Sequence, residues 1–225
     1  MFNRALQPSD LFLIGVNLIP VYGVWLEGWS AKEVFIVYAL ETLIVGAFTV
    51  LKLGITTLFK KRDLWYNNNT ITKVSGLFFI LFFILHYGLF ACVQTSIFAA
   101  SANINPLNSG LFHFFFHWYE YVNTDIAIML AAFVISYLVR DLIPFIMRRE
   151  YKTASMMRLM FQPYARIFIQ QFIVILGSLF LNLGWDKIFV LVFAGVKIYF
   201  EIFLNLDNYM KKAMVDMEKS TDIKP

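Results

Sequence analysis

Six long apolar stretches, separated by short charged or aromatic segments, constrain this chain more than any other feature. A helix needs about 20 apolar residues to cross a hydrocarbon core of about 30 Å. The chain is 60% hydrophobic and 15% charged, whereas a soluble domain is about 45–50% apolar and about 25% charged. We therefore predict an all-α membrane protein with about six transmembrane helices. Their expected bounds are Asp10–Trp25, Lys32–Leu58, Val74–Ala99, Asp125–Met147, Arg166–Leu183 and Asp186–Asn208.

The basic residues predict how these helices are oriented. Lys and Arg are retained on the cytoplasmic side of a membrane. They concentrate in the second and fourth connections and in the C-terminal tail, whereas the opposite side carries only Lys32 and Lys187. We therefore expect a protein of the cell (inner or plasma) membrane with both termini in the cytoplasm, a single transmembrane domain at 1–209 and a polar tail at 210–225. The N-terminal stretch lacks a small-residue cleavage pattern, so we expect it to remain as an uncleaved first helix.

Charge and cysteine content exclude several classes of protein. The net charge is +4, but the basic residues lie in short segments between apolar runs, which suits lipid head groups. We expect the lipid bilayer as a partner and no nucleic acid. The single cysteine, Cys92, excludes an intramolecular disulfide. No complete catalytic or cofactor-binding motif occurs, so the cofactor stays unknown.

Two connecting segments are too apolar to be ordinary loops. Leu111–Val122 is aromatic and too short to span a membrane, so we expect it to lie in the outer interface or to re-enter the membrane. Tyr151–Tyr164 places apolar side chains among Lys152 and Arg158, and predicts an amphipathic helix on the cytoplasmic surface.

Three ionisable residues are expected near the middle of the membrane. Counted along their helices at about 1.5 Å per residue, Glu41, His86 and Lys197 share one layer. An ionised side chain at this depth costs about 2.5–3.5 kcal/mol and needs a partner or a purpose. These residues are therefore the first candidates for a functional site.

A polar stripe on the sixth helix supports two interpretations. Lys197, Glu201 and Asn205 recur every four residues and share one face. Lys197 and Glu201 could simply neutralise each other. Alternatively, the stripe could line a cavity together with Glu41, His86 and Gln171. Such a cavity could relay protons, bind an anionic or zwitterionic solute, or hold a metal.

A metal site is a further candidate on the outer aromatic segment. The spacing of His113, His117 and Glu120 brings all three to one face of a helix, and zinc accepts such ligands. The hydrolytic zinc motif places Glu between two His, which this segment does not, and interfacial aromatic belts also contain His. On the fourth helix, Arg140 and Asp141 lie close to the cytoplasmic interface, where Arg140 can extend its charge to the surface.

Several short motifs, in order along the chain, resemble the prokaryotic integral-membrane family filed as domain of unknown function 6498. The resemblance implies membrane insertion but no activity. The family commonly has His where this chain has Gln171 and Asn205, and Asp where it has Glu201. If the family uses those positions to hold a metal, this chain has lost two imidazoles. The motifs are Asn17–Gly23, Tyr38–Glu41 with Gly46, His86–Gly88, Pro163–Ile167 with Gly177, and Lys197–Asn205.

Three functions remain open from the sequence. The first is an accessory or structural membrane subunit, in which the buried charges only neutralise one another. The second is a carrier or binding protein for a small solute or protons. Six helices are few for a carrier that acts alone, so this function would suit a homo-oligomer. The third is an intramembrane, metal-assisted enzyme, but the polar residues form an incomplete set for catalysis.

Overall fold

The computed structural model describes residues 8–67, 70–101, 104, 110, 112–164, 167, 180 and 183–200. Within them the chain is mostly helical, which confirms the helical part of the predicted class. Four predicted helices agree with the structure to within two residues at each end. The sixth begins at Asp186 as predicted, whereas its expected end and most of the fifth lie outside the described residues. The helices are α1 Pro8–Leu26, α2 Ala31–Lys60, α3 Gly76–Ser101, α4 His113–Phe116, α5 Thr124–Tyr137, α6 Ile143–Met147, α7 156–164 and α8 Asp186–Ile198.

Helix α2 lies at the centre of the described bundle. Ser30 and Glu33 begin it with a capping box, in which each side chain accepts a hydrogen bond from a backbone N–H of the first turn. Of its most apolar stretch, 65% is buried, against 28% for α3 and 22% for the helix that runs through α5 and α6. Within the described residues, three helices are long and apolar enough to cross a membrane, and α1 is a shorter apolar helix. The three are Lys32–Lys60, Gly76–Ile97 and Thr124–Met147.

Helix α3 has a buried aromatic face and an exposed leucine face. Phe79, Phe83 and Tyr87 recur every four residues and are almost completely buried. The opposite face carries exposed leucines at the same spacing, each at least 60% exposed. Such a continuous apolar surface suits contact with lipid tails. The leucines are Leu77, Leu81, Leu85 and Leu89.

The segment between α2 and α3 is a β-hairpin, which the sequence analysis did not predict. Strands β1 Arg62–Asn67 and β2 Thr70–Ser75 pair antiparallel. Trp65 of β1 packs edge-on against Phe78 and Phe82 at the start of α3. The hairpin is therefore fixed to the base of α3.

The segment predicted as an amphipathic helix, Tyr151–Tyr164, is an α-helix only over 156–164, after a 3₁₀ turn at Glu150–Lys152, and its cytoplasmic position stays a prediction. Helix α7 packs inward, because Met156 and Met160 are completely buried in a cluster with Leu53 and Phe79. None of its described side chains is exposed. Flexible methionine side chains fill the irregular space between α2 and α3.

Candidate functional site

Two of the predicted midplane residues meet. Glu41 of α2 and Lys197 of α8 form a salt bridge through Oε2 and Nζ. Both residues are buried, with 3% and 9% of their surfaces exposed. The hydroxyl of Tyr137 on α5 donates a hydrogen bond of 2.7 Å to Oε1 of Glu41. Both carboxylate oxygens are therefore occupied, and three helices converge on one charged group.

Aromatic rings enclose the ammonium group of Lys197. Its Nζ lies 4.7 Å from the centroid of the Tyr38 ring and 4.2 Å from that of Phe133. Phe193 of α8 stacks on Tyr38 with a centroid separation of 3.9 Å. A cation over aromatic faces is stabilised by their quadrupoles, most strongly where water is excluded. The rings therefore replace part of the hydration that Lys197 loses.

A second ion pair lies further along α2. Lys52 is 4% exposed, and its Nζ donates to both carboxylate oxygens of Asp141, at 3.0 and 2.7 Å. Sequence reasoning missed Lys52, although it follows Glu41 by 11 residues in the same apolar run. Eleven residues are about three helical turns, so the two charges share one face of α2 about 16 Å apart.

A local change of helix geometry presents Asp141 to Lys52. Residues Leu138–Leu142 form a π turn between α5 and α6, in which the N–H of Ile143 bonds the carbonyl of Leu138. Pro144 follows within the first turn of α6 and has no N–H to continue the ordinary ladder. Such widened turns are frequent at functional sites. The expectation that Arg140 and Asp141 lie near the cytoplasmic interface did not include a partner for Asp141.

His86 faces away from the pair of Glu41 and Lys197. Its Nδ1 lies 2.7 Å from the hydroxyl of Tyr164 at the end of α7, and its ring stacks on Phe82. The adjacent Tyr87 points towards α2, where its hydroxyl donates to the carbonyl of Thr42 at 2.8 Å. Neighbouring helical residues project about 100° apart, so only one of the two can face α2.

The hydrogen-bond partner of His86 is a neutral phenol. Tyr164 lies in the aromatic cluster beside α3, where burial raises its pKa to about 12. The phenol therefore stays protonated over the physiological range. The described contacts of His86 include neither Glu41 nor Lys197.

The outer aromatic segment brings its three candidate ligands together. One possible ligand atom from each of His113, His117 and Glu120 lies within 4.8 Å of the other two. The segment folds as helix α4 followed by a 3₁₀ turn, Trp118–Tyr121. The predicted helical spacing is thus only partly realised, because the helix changes type between the second His and Glu120.

A cleft of about 520 Å³ lies beside the C-terminal end of α1 and the N-terminal ends of α2 and α8, and neither Glu41 nor Lys197 is among its lining residues. Trp29, Trp185 and Lys187 are among its lining residues. The remaining candidates, Gln171, Glu201 and Asn205, lie outside the described residues, so the predicted pairing of Lys197 with Glu201 stays a prediction.

Comparison with known proteins identifies a family without an activity. No curated protein and no solved structure matches the chain. The model of one family matches residues 1–221, almost the whole sequence, and confirms the resemblance inferred from the short motifs. The chain therefore belongs to the Family of unknown function (DUF6498).

Proposed function

We propose that this protein is an accessory or structural membrane subunit, and that its buried ion pairs hold the helix bundle together. The observation that carries the proposal is the complete pairing of Glu41. One carboxylate oxygen bonds Lys197, the other accepts from Tyr137, and aromatic rings close the space around the ammonium group. These contacts join α2, α5 and α8.

A site that binds a solute or relays a proton needs polar atoms left available to it. Here the strongest acid and base of the midplane layer already neutralise each other. The third member of that layer, His86, bonds Tyr164 on another side of α3. Among the described residues, this geometry favours a structural role over a proton relay or an enzyme, because the acid and the base that converge are already paired with each other.

The proposed topology has six membrane-spanning helices with both termini in the cytoplasm, and partners that are either further copies or other membrane subunits. The excess of Lys and Arg in the second and fourth connections supports this orientation. The exposed leucine face of α3 supports contact with lipid or with a partner helix.

The test compares single and double replacements at the buried pair. Purified full-length protein is unfolded by heat in a defined detergent. Glu41→Gln or Lys197→Met alone leaves one buried charge unpaired, and we expect each to lose about 3–5 kcal/mol. The double variant E41L/K197M should recover most of that loss, because it leaves neither charge behind. Lys32→Met, at an exposed position on the same helix, is the control and should change stability by less than about 0.5 kcal/mol.

A transport measurement separates the proposal from its main alternative. Wild type and E41L/K197M are reconstituted into vesicles with an internal pH indicator, and a proton gradient is imposed. The structural proposal predicts the same proton leak for both proteins. A flux that wild type supports and the double variant abolishes would instead favour proton handling by the buried pair.

The cleft beside the ends of α1, α2 and α8 gives a second candidate function, the binding of a small solute. Trp29, Trp185 and Lys187 are among its lining residues, and two tryptophans with a lysine suit a flat or anionic molecule. Lys187→Ala should weaken binding of such a molecule without changing the unfolding temperature. If no anionic aromatic probe quenches tryptophan fluorescence in a saturable way, this second function is excluded.

A further inference from the structure

The segment between α3 and α5 holds two of the three histidines of the chain in direct contact. The rings of His113 and His117 stack with centroids 4.4 Å apart and an interplanar angle of 16°. The carboxylate of Glu120 lies 3.9 Å from Nε2 of His113. The two imidazoles and the carboxylate therefore form one small cluster, in which a possible ligand atom of each lies within 4.8 Å of the other two.

The Nδ1 nitrogen of each ring already has a hydrogen-bond partner. Nδ1 of His113 lies 3.1 Å from the hydroxyl of Tyr121, and Nδ1 of His117 lies 3.3 Å from the backbone carbonyl of His113. Histidines that bind metals usually donate one ring N–H to a carbonyl, carboxylate or hydroxyl group, which fixes the tautomer and leaves the other nitrogen for the ion. This arrangement leaves Nε2 of each ring as the ligand atom.

Buried packing holds the segment in position. Phe114 is completely buried in the core cluster around α2, and its ring packs 5.0 Å from that of Tyr121. The partner hydroxyl therefore belongs to the same anchored unit.

We propose that His113, His117 and Glu120 bind a divalent transition-metal ion of the zinc class at the outer side of the protein. Two imidazoles and one carboxylate are three protein ligands, which leave a fourth position for water or for a group from a partner. Imidazole nitrogen suits Zn²⁺, Cu²⁺ and Ni²⁺, whereas Ca²⁺ and Mg²⁺ require oxygen ligands. The exposed carboxylate of Glu120 can close the remaining distance by a rotamer change.

The site is tested by titrating Zn²⁺ into full-length protein that carries no histidine tag, in competition with a coloured chelator. Wild type should bind one ion. His117→Asn and Glu120→Gln each remove a ligand and should weaken binding by at least tenfold. Tyr121→Phe removes the partner of a ligand and should weaken it by about 10- to 100-fold.

His86→Gln is the matched control, because it removes the third imidazole of the chain, which hydrogen-bonds Tyr164 in a different part of the fold. This variant should bind Zn²⁺ like wild type. Co²⁺ provides a second readout, since the intensity of its visible spectrum reports coordination by the protein and should fall in H117N and E120Q but not in H86Q.

Three results would overturn the proposal. Wild type could fail to bind one equivalent of Zn²⁺, H117N and E120Q could both bind it like wild type, or H86Q could lose binding as strongly as they do. Thermal unfolding of each variant shows whether it is folded. If H117N does not fold, the comparison of E120Q with H86Q decides the question.

Discussion

Gly46 tests the contact between α2 and α3 most sharply. The ring of Tyr87 lies directly over this glycine, and a Cβ added at position 46 would be 2.8 Å from Cε1 of that ring. Tyr87 is 4% exposed, and its hydroxyl bonds the carbonyl of Thr42. The ring can therefore move only by breaking a hydrogen bond and disturbing the core. We expect Gly46→Ala to destabilise the protein.

The magnitude follows from two opposing effects. Overpacking a filled core costs about 1–3 kcal/mol, while Ala stabilises a helix interior by about 0.5–1 kcal/mol relative to Gly. Gly54, on the same helix, has no atom within 4 Å of an added Cβ. Gly54→Ala should show the helical gain alone. The difference between the two variants then isolates the overpacking cost.

The assay is thermal unfolding of both variants and wild type in one detergent. A difference of 1 kcal/mol shifts the midpoint by about 2–4 °C in a chain of this size, so Gly46→Ala should unfold several degrees below Gly54→Ala. Equal midpoints for the two variants would refute the close packing of Tyr87 on α2.

Two further predictions concern the polar contacts of Lys52 and of Asp63. Lys52→Met removes the partner of Asp141, which is partly exposed, so we expect the protein to lose about 1–3 kcal/mol of stability. In the same unfolding assay, the double variant K52M/D141L should largely reverse this loss. A double variant less stable than K52M would argue against the pair. Asp63→Ala removes the carboxylate that accepts the backbone N–H of Met156 at 2.6 Å, and the loss of this helix cap should cost about 1–2 kcal/mol. Hydrogen exchange should then accelerate in α7 while α3 stays protected; equal acceleration in both helices would contradict a local cap.

The helices could be predicted because a membrane span is a property of length and composition alone. The apolar run from Lys32 to Leu58 becomes α2 with bounds that differ by no more than two residues. The hairpin between α2 and α3 was missed although its signal is present. Trp65, Ile71 and Val74 flank an asparagine-rich turn, a pattern typical of two short paired strands.

The partners of the polar residues could not be predicted in the same way. Depth along a helix follows from counting residues, and this count alone places Glu41 and Lys197 in one layer. Rotation about the helix axis depends on packing against neighbours. For this reason the sequence could not tell that His86 turns towards Tyr164 while Tyr87 turns towards α2.

Charge reversal at the buried pair tests the central claim most directly. Glu41→Lys and Lys197→Glu each place two like charges together, whereas the double variant E41K/K197E restores an attractive pair between α2 and α8. If the contact holds the bundle together, the double variant should be more stable than the sum of the single effects predicts, by about 0.5–3 kcal/mol. Additive losses, with the double variant the least stable of all, would contradict the claim that Glu41 and Lys197 stabilise the fold by binding each other.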